Sequence, residues 1–271
     1  MSLDRIRLAS LHDKVISAEE ASAFIEDGMT VGMSGFTRAG EAKAVPLALV
    51  KRAHTNPLKI TLITGASLGN DLDKQLTEAG VLARRLPFQV DNTLRKAINN
   101  GEVMFIDQHL SETVEQMRNL QLKKPDVAII EAVAITEDGG IIPTTSVGNS
   151  ASFAIFAEKV IVEINTNLSP AFEGLHDIYI PTYRPTRQPI PLTQVDERIG
   201  THAINIDPAK IAGIVINNDL HDSPSTVTAP DDETQGIADH LIAFFEKEVA
   251  EERLPKNLGP LQAGIGSIAN A

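Results

Sequence analysis

The 271 residues include no cysteine and carry a formal net charge of −12. Disulfides, thiolate catalysis and cysteine metal sites are therefore excluded, and a broad nucleic-acid surface, which needs clustered Lys and Arg, is not expected. The composition is that of an ordinary globular protein, with no apolar region at Met1–Arg5 to suggest a secretory signal and no apolar run near the ~18 residues of a membrane span, so a cytoplasmic setting is expected.

Short apolar strands alternate with helical patterns along the chain. Ser17-Ala18-Glu19-Glu20 is a capping box opening a helix through about Ile25. Thr30 to Ser34 is a strand ended by Gly35, Val45 to Ala53 is helical in pattern, and Lys59 to Thr64 is a strand ended by Gly65. Asp71 to Glu78 is expected as a helix with its first acid set against the dipole, and Asp91 to Ile98 as another. Val103 to Ile106 is a strand, followed by a helix from Ser111, a candidate N-cap, to Leu120. The run Asp126 to Ile135 has the continuous apolar character of a strand buried on both faces. Glu137-Asp138-Gly139-Gly140 then turns the chain into Ile141-Ile142. The hydroxyl-rich segment Thr144 to Ser150 suits a loop whose Ser or Asn caps a helix starting near Ser150. Lys159 to Ile164 and Ile211 to Ile216 are further strands, separated by a Pro-rich stretch, Asn165 to Asp207, expected to be a long functional or interface loop. Asp231 to Val249 is an amphipathic helix with Ile237, Leu241, Phe244, Phe245 and Val249 on one face. This alternation predicts an α/β fold with a mostly parallel sheet and flanking helices. The expected organisation is an N-terminal α/β domain over 1–230, then a connecting helix and the start of a second α/β domain over 231–271.

Three glycine-rich turns carry the chemical signals. Gly264-x-Gly266-x-x-Ala269 is expected to follow a strand and open a helix, where free amides attract anions such as a pyrophosphate; a tight turn without ligand would use the same residues. Gly65-Ala66-Ser67-Leu68-Gly69 fits the spacing of a serine-hydrolase nucleophile elbow, which His176 or His240 could complete, and equally a close-packed binding loop at the end of a strand. Gly35-Phe36-Thr37-Arg38-Ala39-Gly40 suits a binding loop in which Arg38 could meet a carboxylate or phosphate. None of the seven histidines has metal-ligand spacing, so no metal is expected. The last residues, Gly264 to Ala271, begin a helical turn with no C-cap, so the end looks imposed and the gene is expected to continue.

Six segments in order resemble one family: Gly35-Phe36-Thr37 with Ala44-Val45-Pro46, Leu62 to Ser67, Ile135 to Ile141, Ser146 to Ser150, Glu173 to Ile178, and Gly264 to Ala271. They look like the acetyl-CoA hydrolase/transferase family, class I CoA-transferases of the succinyl-CoA:acetate type. The resemblance implies the NagB/RpiA/CoA-transferase fold, with this chain as the N-terminal half and the second α/β half largely absent. It implies CoA transfer between a short-chain acyl-CoA (acetyl, succinyl or propionyl) and a carboxylate through a glutamyl-CoA thioester, with coenzyme A as substrate and a homodimeric assembly. By the same resemblance Gly264, Ile265, Gly266, Ser267, Ile268 and Asn270 lie against CoA, and the Ile268 N–H donates to the oxyanion. Gly35, Phe36, Thr37 and Ser67 would form the carboxylate pocket. The family's nucleophilic glutamate falls beyond Ala271, and none of Glu131, Glu137 and Glu173 sits in its context, so the chain alone is expected to be inactive. The alternatives are an acyl-CoA hydrolase, a non-catalytic CoA- or nucleotide-binding module, and a serine hydrolase using Ser67.

Overall fold

The computed structural model describes residues 3–194, 196–223, 229–264 and 266–271. Its contacts divide the chain into two compact units, 1–223 and 224–271.

The first unit is built on one eight-stranded sheet. In chain order its strands are β1 (Thr30–Met33), β2 (Ile60–Ile63), β3 (Leu82–Leu86), β4 (Met104–Phe105), β5 (Val127–Ile135), β6 (Ile141–Pro143), β7 (Lys159–Asn165) and β8 (Ile211–Asn217). The spatial order is β4-β3-β2-β1-β5-β7-β8, all parallel, with β6 pairing antiparallel to the far end of β5. The chain thus starts in the middle of the sheet, winds out to one edge, returns beside β1 and winds out to the other. Between β1 and β5 the direction of winding reverses, and in open α/β sheets ligands bind at the carboxyl ends of the strands flanking such a point.

The helices are α1 (Ala18–Ser22), α2 (Ala44–Ala53), α3 (Leu72–Glu78), α4 (Asn92–Asn99), α5 (Leu110–Arg118) and α6 (Ser150–Phe156) in the first unit. Every residue of β5 is buried, and its side chains alternate between two cores, as strand geometry requires. Val127 and Ile129 join Leu49, Leu72 and Leu94 on one face, while Ala128, Ile130 and Ala132 join Phe153 on the other. Ile130 is fully buried, so Ile130→Val is expected to cost about 1 kcal/mol in urea denaturation, the usual result of deleting one core methylene. The loop 166–207 is largely irregular, as its Pro content predicts.

The structure corrects several local expectations. Strand β3 is absent from the sequence reading because Arg84 and Arg85 interrupt its apolar pattern; Arg85 is nevertheless fully buried, paired with Asp73. Helix α3 begins at Leu72, and Asp71 precedes it in the left-handed region (φ 53°) without a side-chain cap. Helix α5 begins one residue before the expected cap Ser111, with His109 at the N-cap position. Neither Asn149 nor Ser150 caps α6.

The second unit contains α7 (Asp232–Ala250), opened by an Asp231–Thr234 capping box, and the single turn α8 (Ser267–Asn270). Residues 261–264 form no strand, so the expected strand-to-helix turn is only its helical half. No helix among the described residues is long and apolar enough to cross a membrane.

Candidate functional site

The loop after β1 and the turn after β2 meet at the carboxyl edge of the sheet. Residues 36–39 form a tight hairpin in which Phe36 and Ala39 exchange backbone hydrogen bonds of 2.9 and 3.1 Å. Thr37 and Arg38 at its tip both adopt positive φ (50° and 68°), the geometry of a type I′ turn. The Arg38 N–H donates to the carbonyl of Ser67 at 3.2 Å, so the hairpin tip rests on the turn after β2. The two loops touch through glycines: a Cβ on Gly65 would lie 2.3 Å from the carbonyl oxygen of Gly35. Phe36, Thr37 and Ala66 then line a cleft of about 560 Å³ with Phe88, Gln108 and His109. Phe36 is 43% exposed and forms an open aromatic wall. Of the predicted pocket residues, the structure thus brings Gly35, Phe36, Thr37 and Ser67 into one neighbourhood.

The nucleophile-elbow reading finds little support there. The strained backbone of the turn falls on Ala66 (φ 145°), not on Ser67. The His176 Nε2–H donates to the carbonyls of Thr144 (2.9 Å) and Pro143 (3.2 Å), and His240 belongs to the second unit.

Beneath the loops lies a cluster of buried charges that sequence reasoning missed. Lys43, only 1% exposed, directs its ammonium at the carbonyl of Glu41 (2.7 Å), at Glu131 Oε2 (2.5 Å) and at Asp222 Oδ1 (2.8 Å). Three acceptors for three N–H donors satisfy it completely. The other oxygen of Glu131 accepts from Thr144 Oγ1 at 2.7 Å. The other oxygen of Asp222 accepts from the Gly40 N–H (3.2 Å) and Thr145 Oγ1 (2.8 Å). One strand over, Glu163 of β7 accepts from the backbone N–H groups of Lys43, Ala44 and Val45 at 2.9, 2.9 and 3.1 Å. It therefore caps α2 from a distance, meeting orphan amides at the positive end of the helix.

Burial sets the protonation of this cluster. Burial pushes Glu131 up to about 7, although the Lys43 ammonium pulls the other way. Burial also raises Glu41, opposed by Lys43, and raises Glu163, opposed by the three amides it caps. Burial would lower Lys43, but Glu131 and Asp222 outweigh it and hold the ammonium above its ordinary value. Between about 4.5 and 7 the folded protein keeps the Glu131 proton that the unfolded chain loses, so stability falls as pH rises through that window, by on the order of 3 kcal/mol. Glu131→Gln is expected to make the fall shallower in urea titrations run from pH 4 to pH 8; an unchanged slope would discount the assignment. Three further buried polar atoms, Glu41 Oε2, Asn149 Nδ2 and Ser150 Oγ, have no hydrogen-bond partner among the described residues.

The second glycine turn lies in the second unit. Gly264, Gly266, Ser267 and Ile268 line an apolar hollow of about 720 Å³ against Leu241 and Phe245 of α7. Asn270 ends α8 and is exposed, and Ile265 lies outside the described residues.

Comparison with known proteins agrees with this architecture. The RipA protein of Yersinia pestis has the same fold at TM-score 0.61 and 18% identity, covering 87% of this chain and 49% of its own. Glutaconate coenzyme A-transferase from Acidaminococcus fermentans follows at TM-score 0.52 and 15% identity, covering 76% of each chain. In sequence, the chain is 45% identical over 98% of its length to a succinyl-CoA:acetate CoA-transferase of Clostridium kluyveri, covering 50% of that protein. It is 43% identical over 99% of its length to an acetyl-CoA hydrolase of Kluyveromyces lactis, covering 53% of that protein. The chain therefore spans about half the length of the curated relatives it matches. The model of the acetyl-CoA hydrolase/transferase N-terminal domain matches residues 2–216, and the chain belongs to that family.

Proposed function

We propose that this chain supplies the carboxylate-binding half of an enzyme that moves CoA between a short-chain acyl-CoA and a carboxylate. The observation that carries the reading is the glycine contact between Gly35 and Gly65, which seats the Phe36–Thr37 hairpin on Ser67 at the winding reversal of the sheet. Only loops without side chains at the contact come this close, and the result is a cleft edged by the Thr37 hydroxyl and the rings of Phe36 and Phe88, suited to a short acyl carboxylate.

In the proposed reaction a glutamate encoded beyond Ala271 attacks the thioester carbonyl. The carbon–sulfur bond breaks, CoA leaves as thiolate, and an acyl-glutamyl anhydride remains. The thiolate then attacks the glutamyl carbonyl, freeing the first carboxylate and leaving a glutamyl-CoA thioester. A second carboxylate reverses both steps. The amides from Gly264 to Asn270 hold CoA, with the Ile268 N–H donating to the oxyanion. Within the first unit, Glu41, Glu131 and Glu163 are too buried to serve as nucleophile. Hydrolysis is the second reading, favoured by the relatives named acetyl-CoA hydrolase; it differs in letting water take the place of the second carboxylate.

Incubating the full-length protein with acetyl-CoA and succinate, and separating the CoA thioesters by chromatography, tests both. Appearance of succinyl-CoA supports transfer, and free CoA released without any acceptor supports hydrolysis. Borohydride reduction of the enzyme in the presence of acyl-CoA should convert one glutamate beyond residue 271 to the alcohol. The absence of both thioester exchange and CoA release would overturn the proposal.

A further inference from the structure

We propose that Lys43 is a positioning residue of the carboxylate pocket, a buried clamp that fixes the Gly35–Gly40 loop to strand β5 and to the segment following β8. The inference rests on the reading of that loop as the pocket. Lys43 touches no part of the cleft itself; it acts through its partners. Its ammonium binds Glu131 on β5 and Asp222 after β8, while its own backbone N–H is held by Glu163 on β7. Asp222 reaches forward to the Gly40 N–H, at the base of the hairpin, and to Thr145. Glu131 reaches Thr144 in the same segment, and the neighbouring Ser146 hydroxyl donates to the carbonyl of Ala39 at 2.7 Å. The hairpin carrying Phe36 and Thr37 is thus gripped at Ala39 and Gly40 by groups that all lead back to one ammonium.

At its tip the hairpin is also held by the Arg38–Ser67 hydrogen bond, so the clamp governs its base. Gly40 is itself left-handed (φ 69°), and a Cβ there would meet Ser146 Oγ at 2.6 Å, so the packing against residues 144–146 is close. The groups that meet the ammonium are the carbonyl of Glu41 from its own loop, Glu131 from β5 and Asp222 after β8, while from β7 Glu163 accepts from the Lys43 backbone N–H and Asn165 donates to Glu131. Among the described residues, Lys43 is the one cation paired with these acids. A buried charge cluster with a single cation holds its geometry only while that cation is present, because removing it leaves carboxylates facing one another in a low dielectric.

The test compares Lys43→Met, Asp222→Asn and the core variant Val160→Ala in the full-length protein. Amide hydrogen exchange at Phe36, Gly40 and Thr145 reads the clamp directly. Steady-state kinetics, with acceptor and acyl-CoA varied separately, read its effect on the pocket. Lys43→Met and Asp222→Asn should each accelerate exchange at these amides at least tenfold and raise the KM for the carboxylate at least tenfold, with a smaller change for acyl-CoA. Val160→Ala, a destabilised core control, should do neither. Asp222 is partly exposed, so its variant should fold even if Lys43→Met does not. Exchange at Gly40 and Thr145 no faster in either clamp variant than in Val160→Ala overturns the clamp. Faster exchange with an unchanged carboxylate KM overturns the positioning role and leaves the clamp a structural one. If the unaltered protein shows no carboxylate-dependent transfer, the pocket reading fails, and hydrogen exchange still decides the clamp.

Discussion

Gly65→Ala is expected to lower carboxylate-dependent acyl transfer of the intact protein about 100-fold, the effect of moving a substrate-positioning group by roughly 1 Å. The added methyl would lie 2.3 Å from the carbonyl oxygen of Gly35, against backbone that has no side-chain freedom with which to give way. Gly35 cannot retreat, because its own α-carbon already packs on Glu41, where a Cβ would come within 2.8 Å of another. The loops must therefore separate, and the Arg38–Ser67 hydrogen bond is the first contact to lengthen. A stability loss of about 1–3 kcal/mol should accompany this, as for overpacking elsewhere. Gly236→Ala serves as control: it lies inside α7 with nothing within 4 Å of its would-be Cβ, and should stabilise that helix by up to about 1 kcal/mol. Steady-state kinetics and urea denaturation of the two variants measure both effects; near-full activity in Gly65→Ala would show that the loops are not held in register.

The second large effect is expected at Arg85. This fully buried guanidinium binds Asp73 through Nε (2.8 Å) and Nη2 (3.3 Å), and the carbonyls of Ala66 (2.9 Å) and Leu86. Arg85→Met should cost about 3–5 kcal/mol in urea denaturation, because Asp73 is left charged in the core. The Arg85→Met/Asp73→Leu double variant should recover much of that loss, since an apolar pair of similar volume often replaces a buried ion pair without penalty. A single-variant loss below about 1 kcal/mol would mean that water reaches Asp73. The carbonyl of Ala66 loses a donor as well, so the turn bearing Ser67 should loosen with it.

How far the sequence discloses this architecture depends on how local the determinants are. Strand β5 is legible because its nine consecutive buried positions are apolar at every place but Glu131. The capping box at Ser17 is legible because both partners lie within four residues. Strand β3 is not, since its buried Arg85 is made compatible with the core by an aspartate on α3, a relation visible only in three dimensions. The Lys43 cluster is hidden for the same reason: its members come from the β1–α2 loop, β5, β7 and the segment after β8, and each alone resembles an ordinary surface charge. That the loops after β1 and β2 approach each other closely is legible because glycines mark close backbone approach whatever lies opposite them. The turn at Gly264 shows the limit of such reasoning, for the pattern foretold a preceding strand that residues 261–264 do not form.

The capping of α2 by Glu163 ties together parts of the chain made far apart in time. The amides at the start of this helix find their acceptor only on β7, after the five strands β2 to β6 have been made. A nascent chain shorter than this glutamate has no internal group to quiet the positive end of α2, and the helix should fray at Ala44 and Val45. The first unit is thus expected to become ordered in one late step rather than strand by strand as it leaves the ribosome.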